Sequence, residues 1–93
     1  MRTVRSQMVI TGVVQGVGYR YYCYRRALSL GLTGWVRNEP DGSVTALAEG
    51  DRSLVEQFIT DLKVGPPSAS VTDIKITWST FGGEFSRFDI RMH

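Results

Sequence analysis

The sequence predicts an α+β fold, a sandwich in which two helices cover one face of an antiparallel β-sheet. Several segments alternate apolar and polar residues, which is typical of half-buried strands. Two other segments repeat apolar residues every three or four positions, as amphipathic helices do. The helical segments separate the strand segments, and no repeat or long linker interrupts them. This arrangement favours one sheet with helices on a single face.

The first strand is predicted from Val4 to Val14, because apolar residues alternate with polar ones along this segment. From Tyr19 to Leu30 the spacing of apolar residues changes to three or four, which predicts the first helix. Gly31 follows directly and is expected to end this helix, since glycine is common just after a helix C-terminus.

A hairpin is predicted next. Residues Gly34 to Asn38 form its first strand, Pro40-Asp41-Gly42 its turn, and alternating apolar residues from Val44 to Ala48 its second strand.

The second helix is expected to begin near residue 53 and to end at Gly65-Pro66-Pro67. Ser53 and Glu56 have the spacing of a capping box, and either Asp51 or Ser53 is expected to cap the helix. The residues predicted to face the core are Leu54, Val55, Phe58 and Leu62.

Two further strands are predicted, one containing Ile74, Ile76 and Trp78 and one from Phe88 to Met92, with Gly82-Gly83 as the turn between them. The element order is therefore βαββαβ with an extra C-terminal strand. That order is the one found in ferredoxin-like α/β sandwiches.

Composition bounds the class of protein. The chain has 93 residues, of which 42% are hydrophobic and 22% charged, so we expect one domain spanning residues 1–93. The single cysteine, Cys23, cannot form an intramolecular disulfide and is expected to pack in the core. The segments show neither a bilayer-spanning apolar run nor a secretion signal. We therefore expect a cytoplasmic monomer that does not bind membranes.

The richest segment for function is Gly12-Val13-Val14-Gln15-Gly16-Val17-Gly18-Tyr19-Arg20, which joins the first strand to the first helix. Closely spaced glycines let successive backbone N–H groups turn toward one point. The start of the helix adds unpaired N–H groups and the positive end of its dipole. Arg20 adds a full charge, so the segment is expected to bind an anion.

Two common anion-binding loops do not fit this segment. A nucleotide-binding P-loop ends in Gly-Lys-Ser/Thr, whereas Gly16 is followed by Val17 and Gly18, with no lysine and no hydroxyl for magnesium. A dinucleotide fingerprint would place a third glycine at position 21, where Tyr21 stands.

The segment resembles the acylphosphatase family, whose loop reads Gly-x-Val-Gln-Gly-Val-Gly-x-Arg. A second family motif follows at Gly34-Trp35-Val36-Arg37-Asn38, and the similarity continues through Glu49-Gly50 to Gly65-Pro66. The resemblance implies an acylphosphate phosphohydrolase that cleaves small acyl phosphates to a carboxylate and inorganic phosphate, without metal or cofactor. It also implies that Arg20 binds the phosphate and that Asn38 orients the attacking water.

The predicted topology agrees with these roles. Strands one and two run in the same direction, so their carboxyl ends lie at one edge of the sheet and bring the loop and Asn38 together. If strand three lies between them, their axes are about 10 Å apart, which leaves room for a phosphoryl group and a water. The residues whose backbone N–H groups are expected to bind phosphate are Gln15, Gly16, Val17, Gly18, Tyr19 and Arg20.

The main alternative is an RNA- or anion-binding module on the same fold. RNA-recognition domains carry stacking aromatics on the third strand, but Val44-Thr45-Ala46-Leu47-Ala48-Glu49 contains none, and the net charge is only +2, so no nucleic-acid partner is expected. An acylphosphatase-like domain within a larger maturation protein is a second alternative, disfavoured at this stage because the chain ends at His93.

Side chains beside the loop leave one question open. Tyr21 and Tyr24 are expected either to border the substrate pocket or to cover surface, whereas Tyr19 and Tyr22 fall on the core stripe. One cysteine and one histidine, His93, make a poor metal site, and we assign no metal.

Overall fold

The computed structural model describes residues 2–92, so His93 and any metal-binding role for it lie outside the described residues. The described part forms two helices and a five-stranded sheet. In chain order the elements are β1 (Thr3–Val13), α1 (Tyr19–Ser29), β2 (Thr33–Asn38), β3 (Val44–Asp51), α2 (Arg52–Val64), β4 (Ser70–Thr80) and β5 (Phe88–Arg91).

The strand order across the sheet is β4-β1-β3-β2-β5. Both β1 and β2 pair antiparallel with β3, so they run in the same direction and their carboxyl ends share one edge. This confirms the expectation that β3 separates the loop after β1 from Asn38 at the end of β2. The ferredoxin-like sandwich is confirmed with one difference, because β5 pairs parallel with β2 and makes the sheet mixed.

The core lies between the helices and one face of the sheet. Helix α1 buries Tyr19, Cys23 and Ala27, which recur every fourth residue and form one stripe. The free thiol of Cys23 is fully buried, as expected, and this burial raises its pKa. The sheet contributes Val4, Met8, Ile10, Val36, Val44, Ala46, Ala48 and Phe88.

The core face of α2 differs from the predicted stripe at one position. The buried residues are Val55, Phe58, Ile59 and Leu62. Leu54 is 39% exposed, so its assignment to the core is wrong, and Ile59 is buried instead. The reason is angular, since at 100° per residue Leu54 falls at the margin of the stripe that the other four residues share.

Helix α2 begins one residue earlier than predicted. The Asp51 carboxylate accepts a hydrogen bond from the Ser53 backbone N–H at 2.9 Å, which confirms Asp51 as the cap. The predicted capping box is wrong, because Glu56 pairs with Arg52 one turn earlier rather than with Ser53. Gly65 ends the helix, as expected.

The face of the sheet opposite the helices carries a buried carboxylate. Glu49 is 1% exposed and accepts hydrogen bonds from the Arg5 guanidinium at 2.8 Å and from the Gly82 backbone N–H at 2.6 Å. Arg5 also contacts Glu84 and lies 5.7 Å from the centre of the Phe85 ring. These contacts hold the segment between β4 and β5 against this face.

Candidate active site

The loop between β1 and α1 owes its shape to two glycines. Gly16 has φ 74° and Gly18 has φ 77°, a left-handed conformation that other residues rarely adopt. A Cβ at either position would meet no atom within 4 Å, so glycine is needed there for backbone conformation rather than for space. Left-handed residues alternating with ordinary ones turn successive N–H groups inward, which is the geometry of an anion-binding nest.

Helix α1 begins at this loop with its positive end uncompensated. Gly18 is the N-cap and provides no side-chain hydrogen bond, and the first turn holds no acidic residue. The first N–H groups of the helix therefore remain available to a ligand. Together with the helix dipole they favour a bound anion at this position.

A cavity of about 200 Å³ lies where the loop, the start of α1 and the end of β2 meet. Arg20 and Asn38, which are 18 positions apart in the sequence, both contribute to its wall. The structure therefore brings the two residues expected to be catalytic to one small space. The lining residues are Val14, Gly16, Gly18, Tyr19, Arg20, Tyr21, Asn38 and Ile90.

Arg20 enters the cavity as a charge that no described carboxylate neutralises. Its guanidinium forms no ion pair within residues 2–92, where six other arginine–carboxylate pairs occur. Its one side-chain contact of note is to the sulfur of Met92, with Nη1 3.8 Å away. A thioether is a weak acceptor, so an incoming phosphate oxygen can replace it.

Asn38 is the last residue of β2 and pairs with Val44 of β3. Its side-chain oxygen is buried and has no hydrogen-bond partner among residues 2–92. A buried unpaired acceptor costs about 1–3 kcal/mol, so it calls for an explanation in a native fold. A role in holding a water or a ligand is one such explanation, because the residue lines the cavity.

Not all the predicted loop residues line the cavity. Val17 instead packs against the core, and the side chain of Gln15 leaves the loop altogether. The Gln15 amide donates to the backbone carbonyls of Glu39 and Ser43, each at 2.8 Å. Sequence reasoning missed this bridge, since backbone carbonyls 24 and 28 residues away carry no sequence signal.

The open question about the tyrosines is answered by the geometry. Tyr21 is 58% exposed and lines the cavity, whereas Tyr24 packs against the core and is not part of the wall. The buried Tyr19 donates its hydroxyl to the Leu62 carbonyl at 2.7 Å, and burial raises its pKa. Ile90, which sequence analysis assigned only to a strand, also lines the cavity.

Other kinds of site find no support in the described residues. Residues 2–92 hold no group of three or more His, Cys, Asp or Glu side chains placed to bind a metal ion. Neither helix described here has the length and apolar character needed to cross a membrane.

Comparison with known proteins points in one direction. The family model described as Acylphosphatase matches residues 6–90. An acylphosphatase of Syntrophotalea carbinolica is 46% identical over 91 residues, covering 98% of this chain and 99% of the relative. An acylphosphatase of Acaryochloris marina is 52% identical over 82 residues, covering 88% of this chain and 87% of the relative.

Solved structures agree with the sequence comparisons. The crystal structure of acylphosphatase from Bacillus subtilis superimposes with a TM-score of 0.92 at 39% identity, covering 95% of this chain and 98% of that one. These similarities give no support to the RNA-binding alternative.

Proposed function

This chain belongs to the acylphosphatase family and is an acylphosphatase, and we propose that Arg20, Asn38 and the loop from Gln15 to Arg20 carry out its reaction. The observation that carries the proposal is that Arg20 and Asn38 line one cavity, whose wall includes the glycine loop and the start of α1. At about 30 Å³ per water, a volume of about 200 Å³ accommodates a phosphoryl group and one water.

The phosphoryl group is held by charge and by backbone donors. In the proposed complex the Arg20 guanidinium donates two parallel hydrogen bonds to phosphate oxygens, replacing the contact with Met92. The N–H groups of the glycine loop and the first turn of α1 bind the remaining oxygens. These donors neutralise the phosphoryl charge, which is the main requirement of phosphoryl transfer.

The water is held by Asn38. Its amide oxygen accepts a hydrogen bond from the water, which aligns a lone pair of the water with phosphorus. The water oxygen bonds to phosphorus as the bond from phosphorus to the acyl oxygen breaks, and the electron pair of that bond leaves with the carboxylate. The proton of the water passes to a phosphate oxygen. A carboxylate with a pKa of about 4 leaves readily, so no general acid is required.

The test is hydrolysis of benzoyl phosphate in the presence of a chelator, by the wild-type protein and by Arg20→Ala and Asn38→Ala variants whose folding is verified by circular dichroism. We expect turnover by the wild type and strong loss in both variants. Full activity in either folded variant would remove that residue from the mechanism. A folded wild type without turnover would reduce the cavity to an anion-binding site.

We further propose that the chain acts as a single domain, as a monomer and in the cytoplasm. The support is the continuous core formed by both helices and the sheet, and a lone buried Cys23 that needs no oxidising compartment. Light scattering at micromolar concentration tests the monomer, and a dimer mass would overturn it.

A further inference from the structure

The cavity has a polar interior and an apolar rim. Arg20 and Asn38 are the lining residues with a charged or amide side chain, and the proposed reaction uses both. Two further lining residues, Tyr21 and Ile90, are 58% and 37% exposed and therefore stand at the opening. Met92, which contacts Arg20, is 69% exposed and extends this apolar surface. We name Tyr21, Ile90 and Met92 the acyl rim.

The acyl group has to pass this rim. In an in-line displacement the leaving group departs on the side of phosphorus opposite the attacking water. The water is held by Asn38, whose side-chain oxygen is buried, so attack comes from the interior. The acyl carbon and its substituent then point outward, toward the exposed residues of the opening.

The aromatic part of the rim is held in place before a substrate binds. The Tyr21 ring lies 6.2 Å from the Tyr24 ring at an interplanar angle of 27°, and Tyr24 packs against the core. The Arg25 guanidinium lies 5.9 Å from the centre of the Tyr21 ring. A restrained aromatic side chain offers a contact face at a low entropic cost.

We propose, on the basis of the function proposed above, that the acyl rim selects acyl phosphates whose acyl group is apolar, and aromatic acyl groups in particular. Tyr21 is the main determinant, because its ring can stack with a planar acyl group beyond the phosphate. A second carboxylate on the acyl group is disfavoured, since among the lining residues only Arg20 is cationic, and the phosphate occupies it.

The experiment compares kcat/KM for acetyl, benzoyl and 4-carboxybenzoyl phosphate in the wild type and in Tyr21→Ala. We expect the wild type to prefer benzoyl to 4-carboxybenzoyl phosphate. In Tyr21→Ala the ratio of benzoyl to acetyl kcat/KM is expected to fall about tenfold, the effect of losing one aromatic contact. Ile90→Ala is the second variant, expected to lower the same ratio less because an aliphatic side chain cannot stack.

Phe81→Ala is the matched control, because Phe81 is also an exposed aromatic residue, at 41%, but lines a different groove together with Trp78 and Thr80. It should leave the substrate ratio at the wild-type value. An unchanged ratio in both rim variants, an equal loss on both substrates, or a wild-type preference for 4-carboxybenzoyl phosphate would each overturn the inference. A wild type inactive on all three substrates would instead refute the proposed function.

Discussion

The side-chain nitrogen of Gln15 lies 2.8 Å from the backbone carbonyl oxygen of Glu39, the residue that directly follows Asn38. The same nitrogen donates to the Ser43 carbonyl, also at 2.8 Å, while the Glu39 N–H donates to that carbonyl across the turn. One amide therefore ties the loop that holds the phosphate to the strand end that holds the water. The distance between the two halves of the site depends on this bridge.

Removing the bridge should lower turnover more than phosphate binding. In Gln15→Ala we expect kcat to fall about ten- to a hundredfold, because a displacement of about 1 Å between reacting groups has effects of this size. Competitive inhibition by inorganic phosphate should weaken less, since the glycine loop and Arg20 remain. Gln15→Glu keeps the length of the side chain but loses the donor, and it should behave like Gln15→Ala.

The coupling between Gln15 and Asn38 gives the decisive readout. If Gln15 acts by positioning Asn38, then Gln15→Ala should have little further effect on kcat in an Asn38→Ala background. Gln57→Ala is the control, since Gln57 also donates a side-chain hydrogen bond, to Asp61 on the exposed surface of α2. Fully multiplicative effects of the Gln15 and Asn38 substitutions would contradict a positioning role.

Asn38→Ala should reduce activity without reducing stability. We expect turnover to fall by roughly a hundred- to a thousandfold, about 3–4 kcal/mol, by analogy with the loss of a single transition-state donor. The free energy of unfolding should not fall, because the substitution removes a buried acceptor that has no partner among residues 2–92. Kinetics with benzoyl phosphate and urea denaturation measure the two quantities.

Ser6→Ala is the matched control for this prediction. The Ser6 hydroxyl is also buried without a hydrogen-bond partner within the described residues, but it lies in β1 outside the cavity. Its removal should raise the free energy of unfolding by about 1 kcal/mol and leave kcat unchanged. A large loss of stability in Asn38→Ala would indicate that the amide has a structural role instead.

Arg20→Lys should fail to replace Arg20 although it keeps the charge. A lysine ammonium cannot make the two parallel hydrogen bonds of a guanidinium. Loss of one charge-assisted hydrogen bond should lower kcat/KM about ten- to a hundredfold and weaken inhibition by inorganic phosphate. Arg87→Lys, at a 79% exposed ion pair with Asp89, should change neither. Equal inhibition of Arg20→Lys and wild type by phosphate would be incompatible with the bidentate contact.

Glu49 should contribute to stability in a pH-dependent way. Burial raises its pKa, but the Gly82 N–H and the Arg5 guanidinium outweigh burial and hold the pKa below its usual value. Because the folded pKa lies below the unfolded one, this contribution is complete above the unfolded pKa of about 4.3 and is lost as pH falls through the folded value.

Glu49→Gln should therefore destabilise the protein by about 2 kcal/mol at pH 7, through loss of buried charge-assisted hydrogen bonds. The difference from wild type should shrink as the pH falls below about 4. Urea denaturation across this range measures it. Glu84→Gln is the control, because Glu84 contacts the same Arg5 but is 60% exposed and should have little effect. A pH-independent difference for Glu49→Gln would rule out the ionised carboxylate as the cause.

The sequence by itself determined the parts of this protein that depend on neighbours along the chain. Alternation of apolar residues predicted the strands, and the step of three or four predicted α1, because side-chain direction repeats with the local backbone geometry. Gly16 and Gly18 predicted the loop, because glycine is the residue that readily adopts a positive φ. The motifs that carry Arg20 and Asn38 predicted the family, which the comparisons confirm.

Only the tertiary structure decided which distant groups meet. The partners of Gln15 are backbone carbonyls, which every residue possesses, so no pattern in the sequence distinguishes them. Tyr21 and Tyr24 are alike in sequence, and only the packing of α1 beside β5 places the first at the cavity and the second on the core. The parallel pairing of β5 with β2 has the same origin, because pairing across a sheet edge is set by packing over the whole fold rather than by local periodicity.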